Sequence, residues 1–285
     1  MCQMLVEGGQ VERNLERVES MVGRARDSGC SIAVLPECLD FGWTHPSSRA
    51  GCREIPGEHS DVICSSARDS GIYVVAGLTE KSGPRIYNSA ILVSPQGEII
   101  EKHRKINILT IAQDLYSIGD SLGVVDTPLA RIGIDICADN FLDSITFGHS
   151  LARMGCQLLL SPSAWAVDAD YDNQKKPYGG TWKRPYSLLG RMYDMTTIGV
   201  SCVGWMTGGP WKGRKCIGSS LAVGPGGKIL AQGPYGEDAE EMVAVEVNPV
   251  KPSAKGTAIT KMLRDRGYDI EGMLGESGYY EIEDG

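Results

Sequence analysis

The segment Arg131-Ile-Gly-Ile-Asp-Ile-Cys-Ala-Asp-Asn-Phe141 decides how this chain is organised. Isoleucines at 132, 134 and 136 alternate with small or polar residues, a period of two that predicts a β-strand. The strand delivers Cys137 to its carboxyl end, and a helical pattern begins near Ser144. A thiol at such a strand-to-helix turn is raised out of the core, beside backbone N–H groups that can receive developing negative charge. A buried structural cysteine explains the position equally well, because free cysteine is among the most buried residue types.

The composition is that of an ordinary globular protein. The 285 residues are 42% hydrophobic and 22% charged, which is enough for one large core or two small ones. The sequence shows neither an apolar run long enough to span a membrane nor a basic-then-apolar leader, so we expect a cytoplasmic protein without a membrane partner. The net charge of −8 argues against nucleic acid as a partner, because phosphate binding needs a basic face.

The cysteines and histidines do not form a metal-binding pattern. The 9 cysteines include no C-x-x-C pair, and the 4 histidines make no pair spaced four residues apart. We therefore expect no metal and no cofactor. An odd number of cysteines without a leader also suggests reduced thiols.

The chain repeats its own pattern. Cys30–Pro36 matches Cys156–Pro162, and the predicted hairpin Ser89–Ile100 matches Ser219–Leu230 with proline and glycine in register. Each half reads helix, strand, loop, helix, strand, hairpin. This order predicts an α/β fold in which two similar halves pack sheet against sheet, with helices on both outer faces. We expect a single domain over residues 1–248, followed by a C-terminal arm or tail over 249–285.

Two charged residues directly follow other predicted strands. Glu37 comes after the apolar stretch Ser31–Leu35, and its counterpart in the repeat is Ser163, so the repeat does not require an acid there. Lys105 ends a basic stretch, which a charged sheet edge would also explain. Because α/β sheets bind ligands beyond the carboxyl ends of their strands, we expect Glu37, Lys105 and Cys137 to converge.

Three short motifs in this order resemble the signatures of the nitrilase, or carbon–nitrogen hydrolase, superfamily. They are Leu-Pro-Glu-Cys at 35–38, His-Arg-Lys-Ile-Asn at 103–107 and Ile-Gly-Ile-Asp-Ile-Cys-Ala-Asp at 132–139. The resemblance implies a four-layer αββα sandwich that forms a homodimer or a higher homo-oligomer. It also implies a catalytic triad of Glu37, Lys105 and Cys137.

The chemistry of a carbon–nitrogen hydrolase needs these residue types. A thiolate attacks, a carboxylate takes the thiol proton and returns it to the leaving nitrogen, and a lysine favours the thiolate and stabilises the oxyanion. The expected function is hydrolysis of a small amide or carbamoyl substrate through a cysteine thioester. A nitrile-processing enzyme is the alternative within the family. A cysteine–histidine hydrolase using His103 or His149 is a weaker one.

One departure from the family pattern makes a protein without catalytic turnover an alternative. Relatives carry a second glutamate after the lysine, whereas this chain has Ala112 at that place and no glutamate anywhere between Lys105 and Cys137. Gln113 or Asp114 is a candidate replacement. Without one, a binding or scaffold protein that has kept the fold but lost turnover becomes an alternative.

The substrate-binding residues are predicted around the nucleophile and on a long segment after the predicted strand Gln157–Ser161. The candidates are Phe41, Ala138, Asn140, Phe141, Trp165, Lys183 and Arg184. Ser163–Pro185 is predicted to be a loop, and its length suggests a function. It is either a lid whose aromatic residues exclude water while Lys183 or Arg184 holds a substrate carboxylate, or a solvated surface loop.

Overall fold

The structure, a computed structural model, describes residues 1–251 and 265–267. The helices are α1 (Val11–Asp27), α2 (Ser48–Gly51), α3 (Glu58–Ser70), α4 (Ile145–Arg153) and α5 (Gly180–Tyr193). The strands are β1 (Cys2–Gln3), β2 (Ile32–Val34), β3 (Tyr73–Ser82), β4 (Arg85–Val93), β5 (Ile99–Arg104), β6 (Val124–Asp126), β7 (Arg131–Ile134), β8 (Leu158–Ser163), β9 (Ala166–Val167), β10 (Thr196–Ser201), β11 (Val203–Trp205), β12 (Lys215–Ile217), β13 (Leu221–Val223), β14 (Ile229–Gln232) and β15 (Glu241–Met242). Single 3₁₀ turns occupy Thr110–Ala112, Cys137–Asn140, Leu142–Ser144 and Pro225–Gly227.

Two larger sheets carry the two halves of the chain. The first has the strand order β2-β3-β4-β5, and the second has the order β14-β13-β10-β8-β7-β6. Strand β2 pairs with β3 in parallel, as β8 does with β10, and in each half an antiparallel hairpin follows. The two halves therefore share one topology, as the sequence repeat predicted.

Alternating side chains on the strands build the layers. In β3, Val74 and Ala76 pack with apolar residues of α1 and α3, whereas Val75 points to the other face and packs with residues of the second sheet. In β8, Leu158 and Leu160 pack with residues of the first sheet, and Leu159 packs with α4 and α5. Since successive strand residues face opposite sides, each sheet buries one face on its helices and one on the other sheet. The predicted αββα sandwich is confirmed.

The two sheets meet where the matching strands of the repeat end. The backbone N–H of Glu37, just beyond β2, donates to the carbonyl of Ser163 at the end of β8, at 3.2 Å. The carboxyl ends of β5 and β7 reach the same region, because Lys105 follows β5 and Cys137 follows β7. The packing of the sheets therefore sets where the predicted site residues lie.

The segment predicted as the loop Ser163–Pro185 is partly regular, so that prediction was wrong in detail. It contains β9, and α5 begins at Gly180, ahead of Pro185. The proline suggested a boundary because it interrupts helix hydrogen bonding. In the structure the helix continues through Pro185, since Trp182 and Tyr186 on the same face are buried in the core.

The C-terminal part of the chain is described only in part. The last strand of the described residues, β15, covers only Glu241–Met242. The predicted arm over 249–285 lies, except for 249–251 and 265–267, outside the described residues. Within the described part of the chain, the helices are too short or too polar to cross a bilayer.

Gly77 in β3 should be intolerant of any side chain. A Cβ there would come within 2.6 Å of Glu37 Cα and 2.8 Å of the Pro36 carbonyl, both backbone atoms. We expect Gly77→Ala to lower the free energy of unfolding by about 1–3 kcal/mol, the usual penalty of overpacking. Urea unfolding followed by circular dichroism measures it.

Gly23→Ala is the matched control. Gly23 lies inside α1, and a Cβ there meets nothing within 4 Å. We expect this variant to be more stable by about 1 kcal/mol, because alanine favours a helix over glycine. Equal effects of the two substitutions would contradict the close approach of β3 to the Glu37 backbone.

Candidate active site

Glu37 is a buried carboxylate with one occupied and one open oxygen. Its side chain is 1% exposed. Oε1 accepts hydrogen bonds from Lys105 Nζ at 2.7 Å and from Asn88 Nδ2 at 2.6 Å. Oε2 is buried and has no partner at hydrogen-bond geometry among the described residues, although the Glu37 carboxylate interacts with the Cys137 thiol. A buried carboxylate held by one oxygen in this way keeps the other as a proton acceptor.

The loop behind Glu37 is fixed by a second buried carboxylate. Asp40 is fully buried and accepts hydrogen bonds from the backbone N–H groups of Phe41 and Thr79 and lies 3.1 Å from His59 Nδ1. These bonds tie the loop to β3 and α3. Glu37 is therefore held in a defined position although it lies outside a strand.

Lys105 is buried between acidic groups. It is 2% exposed. Its backbone N–H donates to the carbonyl of Asn88, a residue of β4, at 2.8 Å. Burial by itself would lower the pKa of Lys105, but the charge and hydrogen bond of Glu37, with a smaller effect of Asp139, outweigh burial, and the pKa is raised well above its usual range. Lys105 thus stays an ammonium ion without water around it.

Cys137 begins the 3₁₀ turn that follows β7. Its φ of 47° lies in the left-handed region, which is costly for a residue with a side chain. Its backbone N–H donates to Ser161 Oγ at 3.1 Å. The turn is therefore held by hydrogen bonds in a strained conformation that raises the thiol at the end of the strand.

Asp139 joins the nucleophile turn to the segment that carries Lys105. Its Oδ1 accepts the backbone N–H groups of Ile106 and Asn107, at 3.1 and 2.7 Å. Its Oδ2 contacts His103 Nε2 at 2.8 Å and accepts the N–H of Ile136 at 3.1 Å. The pKa of His103 is raised, because Asp139 outweighs the opposing effect of burial. We did not single out Asp139 or Asn88 from the sequence, where each is one polar residue inside a motif.

The thiol of Cys137 is not a preformed thiolate. Burial and the charge of Glu37 raise the pKa of Cys137, and Lys105 and the N–H of Ala164 only partly offset this. We had expected Lys105 to favour the thiolate. Lys105 does act in that direction, but burial at 9% exposure and the nearby carboxylate outweigh it.

Stacked aromatic side chains form a wall in the apolar cluster that contains Cys137. Trp182 stacks on Trp165 with ring centroids 4.7 Å apart and on Phe141 at 5.1 Å. Tyr178 accepts a hydrogen bond from Trp182 Nε1 at 2.8 Å. Trp165 and Trp182 are buried in the same apolar cluster as Cys137. Phe141 and Trp165 were predicted to bind substrate; the structure places Trp165 in the apolar cluster that contains Cys137 and packs Phe141 against that cluster.

Several predicted substrate residues lie or point elsewhere. Phe41 packs against the His59 ring at 5.6 Å, behind the Asp40 loop. Asn140 turns its amide into the core, where it donates to Asp135 and Ser161. Arg184 is exposed on α5 and Lys183 is half-buried beside Gly179. Ala138 is buried next to Cys137, and its carbonyl accepts a hydrogen bond from Asn107.

Neither replacement suggested for the missing glutamate faces Lys105. Gln113 is exposed and donates to the carbonyl of Ile108 at 3.3 Å, and Asp114 is exposed as well. Ala112 is buried in the apolar core of the first half. The position of the second glutamate in relatives is thus apolar here.

The histidine alternative is not supported by the geometry. His103 contacts Asp139, and His149 contacts Tyr193 Oη at 2.7 Å in the layer between α4 and α5. The charged groups that act most strongly on the pKa of Cys137 are Glu37 and Lys105.

Comparison with known proteins agrees with these motifs. The model of the carbon-nitrogen hydrolase family matches residues 1–251. An omega-amidase from Danio rerio is 32% identical over 162 residues, which are 53% of this chain and 58% of that protein, so the match spans less than two thirds of the relative. A nitrilase from Pyrococcus abyssi is 29% identical over 242 residues, 83% of this chain and 84% of that one.

Solved structures share the fold at low sequence identity. The carbon-nitrogen hydrolase from Helicobacter pylori has a TM-score of 0.75 at 21% identity, over 84% of this chain and 85% of that one. A double mutant of the amidase from Nesterenkonia sp. in complex with acrylamide has a TM-score of 0.69 at 21% identity, over 82% and 86%. These likenesses support the sandwich architecture.

Removing the charge of Lys105 should leave Glu37 as an unpaired buried anion. We expect Lys105→Met to lower the free energy of unfolding by about 3–5 kcal/mol, as when one partner of a buried ion pair is removed. The double variant Glu37→Gln/Lys105→Met should recover most of that loss, because it leaves no unpaired charge. Urea unfolding of the variants gives the coupling energy.

Lys102→Met is the control for this cycle. Lys102 contacts Glu80 at 2.7 Å, but it is 31% exposed and Glu80 keeps its bonds to Arg104. We expect this change to lower stability by about 1 kcal/mol or less. A Lys105→Met variant as stable as Lys102→Met would mean that the Glu37–Lys105 pair has no special weight.

Proposed function

The chain belongs to the carbon-nitrogen hydrolase family, and from that membership we propose that it hydrolyses the carbon–nitrogen bond of a small amide with Cys137 as the nucleophile. The relatives include proteins named as omega-amidase, amidase and nitrilase, which supports this class of reaction without fixing the substrate. Glu37 acts as the general base and acid, and Lys105 as the positive charge of the site.

The observation that carries the proposal is the unequal use of the two Glu37 oxygens. Oε1 accepts hydrogen bonds from Lys105 and Asn88, whereas Oε2 has no hydrogen-bond partner among the described residues. A merely structural carboxylate at 1% exposure would be expected to satisfy both oxygens. The open oxygen supports a role in moving protons.

The first half of the reaction forms a thioester. Glu37 Oε2 takes the proton of the Cys137 thiol as the sulfur attacks the amide carbon, and the carbonyl oxygen becomes an oxyanion. Lys105 and backbone N–H groups of the nucleophile turn stabilise that charge. The intermediate collapses when the carbon–nitrogen bond breaks, and Glu37 returns its proton to the leaving nitrogen, so that ammonia or an amine departs.

The second half releases the acid. Glu37, again ionised, takes a proton from a water molecule that attacks the thioester carbon. The carbon–sulfur bond then breaks, the thiol regains the proton from Glu37, and the carboxylic acid leaves. The raised pKa of Cys137 fits this scheme, because the thiol then rests protonated and gives up its proton only during attack.

We propose that the acyl group of the substrate is uncharged. The aromatic wall consists of Phe141, Trp165 and Trp182, which offer apolar faces. The predicted cations are placed less well for a substrate carboxylate, since Arg184 is exposed and Lys183 only half-buried on α5. This favours a neutral apolar amide over a substrate that carries a second carboxylate.

A catalytically impaired binding protein is the second candidate. Ala112, buried in an apolar core, stands where relatives have a second glutamate, and the exposed Gln113 and Asp114 do not replace it. Such a protein would bind the same small molecules at the Glu37–Lys105–Cys137 site without releasing ammonia or an amine.

Ammonia release from a panel of neutral amides and nitriles tests the proposal. We expect wild-type protein to turn over at least one amide, and Cys137→Ala to lower kcat by about 10⁴-fold or more, as for loss of a nucleophile. The control Cys156→Ala changes a buried cysteine in the layer beneath α4 and α5 and should keep turnover.

Each result separates the candidates. Turnover that survives Cys137→Ala would sink the nucleophile assignment. Faster release from nitriles than from amides would favour the nitrilase alternative. Saturable binding of an amide without any product, measured by calorimetry, would favour the binding protein.

The choice of acyl group is tested at Phe141 and at the two cations. Phe141→Ala should raise KM for an apolar amide about tenfold, because it removes aromatic surface worth roughly 1–2 kcal/mol. Lys183→Gln and Arg184→Gln should change KM by no more than about twofold for either a neutral or a carboxylate-bearing amide, as for exposed charges. A selective rise of one to two orders of magnitude for the carboxylate-bearing amide would instead support the lid with a carboxylate-binding cation.

A further inference from the structure

A buried carboxyl group that the mechanism above does not use lies behind the nucleophile turn. Asp135, two residues before Cys137, is 0% exposed. Its Oδ1 accepts a hydrogen bond from Asn140 Nδ2 at 2.7 Å. Its Oδ2 is buried and, within the part of the chain that the structure describes, has no partner at hydrogen-bond geometry. A buried carboxylate with an open oxygen and no cation bonded to it is an expensive arrangement, which calls for a function.

Two side chains connect Asp135 to the nucleophile. Asn140 Nδ2 also donates to Ser161 Oγ at 3.0 Å, and the same oxygen accepts the backbone N–H of Cys137 at 3.1 Å. The turn is strained at Cys137, where φ is 47°. Since Asn140 is the far end of the same 3₁₀ turn, its bond to Asp135 fixes the turn at the end opposite to the thiol.

The surroundings of Asp135 differ from those of Asp139, the other carboxyl group of this segment. Asp139 contacts His103 and accepts three backbone N–H groups. Asp135 accepts the Asn140 amide and interacts with the Ser161 hydroxyl, and both of these side chains are uncharged. A buried carboxyl group that has no cation bonded to it favours the neutral acid, because burial penalises the charged form.

The titratable groups that face Asp135 come from every element packed around it. They are Asp139 on its own segment, His103 on β5, Cys156 before β8 and Tyr186 on α5. Burial, with a smaller effect of Asp139, raises the pKa of Asp135 to about 7, and hydrogen bonding to Ser161 and Asn140 and the charge of His103 oppose the rise. The remaining neighbours, Cys156 and Tyr186, are uncharged near neutral pH, since the pKa of each is itself raised.

We propose that Asp135 is a positioning residue that works as a neutral carboxylic acid, holding Asn140 and through Ser161 the backbone of Cys137, and that its ionisation disturbs the nucleophile turn. The step is the loss of the Oδ2 proton to solvent, with no covalent change. The anion that remains has no cation bonded to it and is expected to draw in water or move its partners. The proposal rests on the proposed role of Cys137 as nucleophile.

The pH dependence of kcat/KM tests this role in three variants. Wild-type activity should fall as the pH rises above about 7, because Asp135 then ionises. Asp135→Asn keeps the shape and cannot ionise, so that alkaline limb should be absent or shifted upward by at least about one pH unit. Asp135→Ala should lower kcat about a hundredfold at every pH with little change in KM, the effect of a misplaced nucleophile. Asp126→Asn, an exposed carboxylate at the end of β6, is the matched control and should keep the wild-type profile.

Stability provides a readout that does not depend on turnover. A folded-state pKa of about 7 against an ordinary value of 3.8 means that the folded protein binds the Asp135 proton more tightly than the unfolded chain does. The free energy of unfolding of wild type, relative to Asp135→Asn, should therefore fall as the pH rises through this window and level off above it. Urea midpoints between pH 4.5 and pH 8.5 measure the difference.

The rate at which iodoacetamide alkylates Cys137, mapped by mass spectrometry, separates failure of this inference from failure of the proposed function. If no amide is hydrolysed, a stability slope that Asp135→Asn removes, together with an alkylation profile of Cys137 that the same variant changes, still supports the positioning role. A wild-type slope no different from that of Asp135→Asn overturns it, whatever the activity. A slope without any change in the alkylation or activity profile shows a purely structural acid and also overturns it.

Discussion

The buried ion pair between Lys105 and Glu37, 2.7 Å long and nearly inaccessible to water, is the constraint on which the rest of the site depends. Neither charge could be buried alone, because an unpaired ion inside a protein carries a desolvation penalty of several kcal/mol. Asn88 on β4 donates to the same carboxylate oxygen and completes the pair. This requirement brings the carboxyl ends of β2 and β5 together and leaves the second oxygen of Glu37 without a hydrogen bond among the described residues.

The nucleophile comes from the other sheet, and Asp139 is what joins the two sides. By accepting two backbone N–H groups next to Lys105 and one before Cys137, it fixes the distance between the lysine segment and the nucleophile turn. His103 balances its charge. Asp135, four residues earlier and on the core side of the same segment, lacks such a balance. Two carboxyl groups so close in sequence thus have different hydrogen-bond partners, because the layers on either side of them differ.

The internal repeat supplies the frame, and departures from it supply the site. Strand β2 and its counterpart β8 end side by side, where the N–H of Glu37 meets the carbonyl of Ser163. The repeat leaves an acid at only one of these two strand ends. The second half instead contributes the strained turn at Cys137 and, through α5, the aromatic residue Trp182 that stacks on Trp165. One asymmetric site in a nearly symmetric sandwich follows from these differences.

The sequence by itself determined the αββα architecture, the repeat, the family and the three residues placed at strand ends, because each depends on local patterns: alternation, turn residues and short motifs. Tertiary packing decided the rest. The start of α5 depends on Trp182 and Tyr186 being buried against distant strands, which outweighs the boundary that Pro185 suggests. Packing also decided the direction of Asn140, which bonds to Ser161 on a neighbouring strand, and the place of Phe41, which packs against His59. The same holds for the raised pKa of Cys137, since burial and a carboxylate from the other sheet, and not the sequence around the thiol, determine how tightly it holds its proton.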